Sequence, residues 1–193
     1  MSSCHPGIIF MLYTYPMHIH HIFISPGHNY FGNPSGEPGE HPTFDVAQVE
    51  VRAGLGVVGD RFYGKGADFD GQITFFAWEV FQQLQTEFGN SVWTPVPLRR
   101  NVIIEGVPLN GLIGQDFTID AIRFRGIKHC APCRWMDRGF APGARQFLKG
   151  RGGLRAQVLS DGVLQCGEAF LATEVELKLD QIVQPLLKPA LPA

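Results

Sequence analysis

The chain has 193 residues, a formal net charge of −2 and 18% charged residues, so a single domain with a sizeable core accounts for it. A near-neutral balance without a dense Lys/Arg run argues against a nucleic-acid surface, and four unevenly spaced cysteines do not make a secreted disulfide framework. A reducing, cytoplasmic setting is expected.

The apolar start GIIFMLYTYPM lacks the positive flank of a signal peptide. It is also shorter than the roughly 18 apolar residues of a membrane span, so no membrane association is expected. Residues 1–16 read as an extension expected to be disordered, and Met17 is an alternative start. Residues 17–178 read as the domain, and residues 179–193, with Pro185, Pro189 and Pro192, as an irregular tail.

His18 to Ser25 alternates polar and apolar residues like a half-buried strand, with Ile19, Ile22 and Ile24 inward. Residues 26–42, dense in Pro, Gly and Asn, form a long loop. Loops of this length are often functional, which singles out His28, Asn29 and Tyr30, although a solvated loop explains them equally well. Val46 to Arg52 is a second strand with Val49 and Val51 inward. Val57 to Gly71 carries Asp60, Arg61, Lys65, Asp68 and Asp70 among glycines, which let backbone approach a ligand. No Walker or dinucleotide fingerprint is present, and strand Gln72 to Phe76 follows.

Ala77 to Phe88 is the one strong helix, with Val80, Phe81, Leu84 and Phe88 on one face and Gly89 and Asn90 to end it. Arg99, Arg100 and Asn101 precede strand Val102 to Glu105; paired arginines there could grip phosphate or simply be solvated. Asp116 to Phe124 reads as the strand that delivers the stretch GIKHCAPCRWMD, residues 126–137. Ala144 to Lys149 is a short helix candidate. Leu154 to Leu159 and Val163 to Cys166 flank Ser160-Asp161-Gly162, a hairpin signal, and Phe170 to Leu177 adds a last strand. Seven or eight short strands against one solid helix predict a mainly β domain, a closed or partly closed barrel with one principal helix and a few short ones.

Cys130 and Cys133 stand in a C-x-x-C spacing beside Lys128, His129 and Arg134. Cations beside a thiol favour thiolate, a nucleophile and soft-metal ligand. A thioredoxin-like pair would head a long helix, which Gly139 and Pro142 prevent. A structural zinc would need two more ligands, from Cys166 and one of His18, His20, His21 or His28. Two small buried packing residues are the plain alternative.

The stretches VVGDRF, GQITFF, RRNVIIEGVPLNGLIGQDFTI, CAPCRWMD and GRGGLRAQVLSDGVLQCGE, in this order, closely resemble the MOSC family, named for the C-terminal domain of molybdenum cofactor sulfurase. The resemblance spans about residues 22–170. It implies a β-barrel that binds the molybdenum cofactor (molybdopterin), or receives sulfur for it, with Cys133 as the catalytic cysteine and molybdenum ligand. Some relatives, the mitochondrial amidoxime-reducing component among them, reduce N-hydroxylated compounds; others are thought to carry sulfur as a persulfide. Arg99, Arg100 and Asn101 are implied to grip the pterin phosphate, with Gly152, Gly153 and Arg155 as a second group. A small-molecule substrate and a separate reductase or sulfur donor are implied as partners, since no flavin, nicotinamide or iron–sulfur signature is present. The amidoxime-reducing relatives carry an additional N-terminal β domain that helps to clamp the cofactor. Only about twenty-five residues precede the matching region here, so a homodimer is expected to supply the missing wall.

Overall fold

The computed structural model describes residues 11–30 and 35–187. Its strands are β1 (Tyr13–Ile24), β2 (Phe44–Asp45), β3 (Gln48–Arg52), β4 (Gly56–Val57), β5 (Ile73–Ala77), β6 (Val102–Glu105), β7 (Asp116–Ile119), β8 (Ile122–His129), β9 (Leu154–Val158), β10 (Gly162–Gln165) and β11 (Gly167–Thr173). Three helices join them: α1 (Trp78–Glu87), α2 (Trp135–Gly139) and α3 (Ala144–Phe147). The main sheet runs β11-β7-β8-β9-β5-β6-β1, and pairing of β1 with β11 closes it into a seven-stranded barrel. β2 extends one end of β1, while β10, β3 and β4 form a separate small sheet. The fold is thus mainly β and closed, as the strand count predicts.

Only β5 and β6 pair in parallel, and α1 is the crossover that a parallel connection requires. Val80, Phe81 and Leu84 are its buried face, as the periodicity predicts. All five residues of β5 are buried, so both faces of that strand are covered. Phe75 meets Phe117 and Phe124 with ring centroids 5.9 and 5.6 Å apart, in the edge-to-face geometry that aromatic quadrupoles favour. None of the helices in the described residues is long and apolar enough to cross a membrane.

Five local expectations are corrected. Residues 13–16, assigned to the extension, belong to β1, because Tyr13 to Pro16 pair with Thr173 to Phe170; residues 1–10 lie outside the described residues. The single strand Asp116 to Phe124 is two, folded at Asp120, whose φ of 50° reverses the chain. The last strand ends at Thr173 instead of reaching Leu177. The Asp-Gly signal does not join β9 to β10: both edges of β9 are occupied by β5 and β8, so β10 pairs with β3 instead. Asp161 accepts from the Ala53 N–H at 2.8 Å and from Arg52 at 2.9 Å, which fixes that crossing. A register shift between Ile19 and His21 also turns both His20 and His21 outward, so Phe23 takes the core position expected of Ile24.

Candidate functional site: the cysteine loop and an adjoining cationic cavity

The cysteine loop leaves the barrel at the end of β8. The Cys130 N–H donates to the Gly153 carbonyl at 2.7 Å, which prolongs the strand by one rung and buries Cys130. Pro132 then turns the chain outward, leaving Cys133 half-buried. Its carbonyl accepts from the Met136 N–H at 3.1 Å, starting α2, whose Trp135 and Met136 anchor the loop in the core. Cys130, Cys133 and Cys166 are free thiols.

Arg99 follows a 3-10 turn, Val96–Leu98, in a left-handed conformation with φ 57° and ψ 41°. A bulky non-glycine residue is rare there and such strain concentrates at functional sites. The conformation sends its side chain to the cysteine loop, where Nη2 donates to Cys133 Sγ at 3.0 Å. The guanidinium lies over the Tyr30 ring, 5.0 Å from its centroid, and Tyr30 in turn meets Trp135 edge-on at 5.1 Å. Arg99 Nε is buried and finds no hydrogen-bond partner among the described residues. A buried donor left open in this way costs free energy unless an acceptor arrives.

Beside this pair lies a narrow cavity of about 30 Å³, partly open to solvent, lined by residues 23–25 and 27–30, Thr43, Arg61, Val96 and residues 99–101. Arg61 is set there by Asp60, which is buried, pairs with it at 3.1 Å and accepts the Ser25 and Phe62 N–H groups at 3.3 and 3.1 Å. Burial pulls the Arg61 pKa down from the ordinary arginine value. His28 has its pKa lowered by burial first and by Arg61 and Arg99 next, so near neutral pH its imidazole is uncharged.

The other residues implied as phosphate ligands do different work. Arg100 is buried and donates to the carbonyls of Gly152, Leu98 and Cys130 at 2.9, 2.8 and 3.1 Å. It is therefore a clamp on the cysteine loop instead of a phosphate grip. Asn101 accepts from the Thr74 N–H and hydroxyl at 3.1 and 2.8 Å and donates to the Phe23 carbonyl at 3.3 Å, tying β5, β6 and β1 together. A Cβ on Gly152 would meet the Cys130 carbonyl at 2.1 Å, and one on Gly153 the Phe75 carbonyl at 2.1 Å. These glycines serve close backbone packing. Arg155 pairs with Asp70 at 2.9 Å, and Lys128 contacts the same carboxylate.

The zinc alternative finds no support: among the described residues no three His, Cys, Asp or Glu side chains are grouped to hold a metal. His18, His20 and His21 instead reach Glu168, Glu105 and Asp45 at 2.8, 2.7 and 2.7 Å on neighbouring strands. The five-residue α2 likewise gives no long helix behind the cysteines. Burial, then Asp45, pushes the Cys166 thiol pKa up. Arg61, marked in the sequence only as one charged residue of the glycine-rich stretch, is brought to the cavity wall beside Arg99.

Barrel and cysteine loop together define the class. A MOSC domain model matches residues 41–170, and the chain belongs to this family. The YuaD protein of Bacillus subtilis has a similar structure, at TM-score 0.65 and 15% identity, with 86% of this chain and all of that chain covered. YiiM of Geobacillus stearothermophilus is similar at TM-score 0.58 and 20% identity (83% and 75% covered). YiiM of Escherichia coli is similar at TM-score 0.58 and 14% identity (89% and 76% covered). No curated protein matches in sequence.

Proposed function

We propose that this MOSC protein binds the molybdenum cofactor through Cys133 and the cavity beside it, and reduces N-hydroxylated bases or related N-oxygenated compounds. The observation that carries the reading is Arg99, which donates to the Cys133 sulfur, keeps a buried Nε without a partner among the described residues, and lines a cavity together with Arg61. A soft sulfur suits a metal already held by dithiolene sulfurs, and two guanidinium groups suit a phosphate. The donor set therefore fits the group. When bound, the cofactor supplies the two-electron centre.

Within this reading Cys133 is the metal ligand. Arg99 orients its sulfur and offers Nε to an anionic oxygen, and Arg61 neutralises the same anion. Arg100 holds the loop from behind. The overall change cleaves the N–O bond: an N-hydroxylated base takes up two electrons and two protons to give the reduced base and water. The electrons come from a separate reductase protein. Persulfide carriage on Cys133 is the second reading, favoured by the same arginine, which would face a terminal persulfide sulfur as readily.

Protein from a cofactor-competent host should contain molybdenum and pterin. Cys133→Ser should abolish N-hydroxy reduction, whereas Cys130→Ser and Cys166→Ser keep substantial activity at equal cofactor occupancy. Full activity in Cys133→Ser would sink both the metal-ligand and the persulfide readings. Equal loss in Cys130→Ser would point to a paired-cysteine mechanism instead.

A further inference from the structure

We infer that the face beside the cysteine loop is a docking surface for an acidic electron-transfer protein. This rests on the reductase reading above and adds where the donor sits. Charge is sharply segregated along the chain. Residues 121–155 hold nine of the 16 Lys and Arg but only one of the 18 Asp and Glu, Asp137, a net +8 against −10 for all the rest. This is the stretch that contains Cys133.

Folding sharpens the segregation on one face. Arg125, Lys128, Arg138 and Arg155 are compensated by Asp116, Asp70 and Glu37. Arg134, Arg145 and Lys149 are exposed and join no ion pair among the described residues. Asp137 lines the same groove as Arg145 and Lys149, but its carboxylate is engaged locally, accepting the Gly143 and Arg145 N–H groups at 3.2 and 2.8 Å. Arg145 and Lys149 line one groove together with Ala131 and Pro132 of the cysteine loop and with Leu186 and Leu187. Those two leucines are 44% and 79% exposed, and the Leu186 N–H is fastened to the Gly150 carbonyl at 2.8 Å.

An apolar centre with a cationic rim is the anatomy of a protein interface, and the rim predicts an acidic partner. A long polyanion would meet the negative remainder of the molecule. The cysteine loop forms one wall of the groove, so a partner seated there brings its prosthetic group to the loop. A donor of electrons has reason to dock there.

The test titrates two acidic carriers, a flavodoxin and a plant-type ferredoxin, each fluorescently labelled, into the full chain and reads anisotropy at low and at physiological ionic strength. At least one should bind, more weakly as salt rises. The double reversal Arg145→Glu/Lys149→Glu should weaken binding about tenfold or more and flatten the salt dependence. Arg145→Gln/Lys149→Gln should fall between, which guards against a misfolded reversal. Binding of neither carrier, or unchanged binding in the reversal, overturns the inference. Tighter binding of a DNA duplex or of phosphatidylglycerol vesicles through the same two residues also overturns it. If dithionite drives N-hydroxy reduction but no carrier binds, docking alone fails. If a carrier binds and no reductant drives reduction, the reductase reading fails and the surface stands.

Discussion

Arg99 and Arg100 are neighbours in sequence with opposite tasks, and the backbone separates them. The left-handed φ of 57° at Arg99 turns one guanidinium toward the cavity and Cys133 while the next goes into the protein. Removing Arg100 leaves three carbonyls without their charged donor in a site where burial already lowers the arginine pKa. Arg100→Ala should cost about 3 kcal/mol or more in urea unfolding. Arg99→Ala should leave the unfolding midpoint nearly unchanged but release pterin during dialysis at high salt. If the two variants behave alike in both measurements, the division of labour is wrong. The sequence marks the pair as cationic before a strand. It cannot tell them apart, because the difference lies in one dihedral angle and in the carbonyls of Cys130 and Gly152, 30 and 52 residues away. Cys133 stands out in the sequence for another reason: its Pro-Cys position sits in a local pattern.

The long link between β8 and β9, residues 130–153, carries the cysteine loop and is fastened at its two ends. Gly152 donates its N–H to His129 Nε2 at 3.0 Å, so that nitrogen must be unprotonated. Burial first, then Arg100, lowers the His129 pKa below its ordinary value of 6.5, and His28 shifts the same way. The unfolded chain therefore binds these protons more readily. The stability they contribute is complete above about pH 6.5 and is lost as pH falls through the lower folded values. The melting temperature should drop on acidification below pH 6.5, and His129→Gln, whose amide oxygen can accept the same N–H, should shallow that drop without abolishing it. An identical pH profile in the variant would remove His129 from the account. Gly153→Ala should be destabilising by more than a typical surface change, through φ 93° and the Phe75 carbonyl 2.1 Å from the added Cβ. Elements of this kind were only half legible. Helix α1 was readable from its own periodicity, whereas the Asp-Gly signal misled because a turn motif carries no information about which strand edges are free.

Barrel closure depends on a seam that no local pattern announces. β1 pairs with β11 from Tyr13 to Ile19 and with β6 from His18 to Ile22, so one strand joins the two ends of the sheet. The β1 and β11 partners are some 150 residues apart, and contacts that distant leave no trace in local periodicity, although the strand count and the family resemblance both pointed to a barrel. The same seam decides what a start at Met17 would do. Such a chain would lose the pairing of Tyr13 to Pro16 with Phe170 to Thr173, together with Tyr15, which is 9% exposed and whose hydroxyl accepts the Leu177 N–H at 2.6 Å. The buried ring and its hydrogen bond together represent roughly 2–4 kcal/mol. Pairs from Met17 to Ile19 would remain, so the barrel should stay folded but open at one corner. Hydrogen exchange should then show lost amide protection within residues 171–173 with β5 and β6 unchanged, and a lower melting temperature. The freed edge of β11 carries Phe170, already 57% exposed, and should promote association as protein concentration rises. Unaltered protection across residues 171–173 in the shortened chain would show that β6 alone holds β1 in place, and that the first rungs of the seam do not close the barrel.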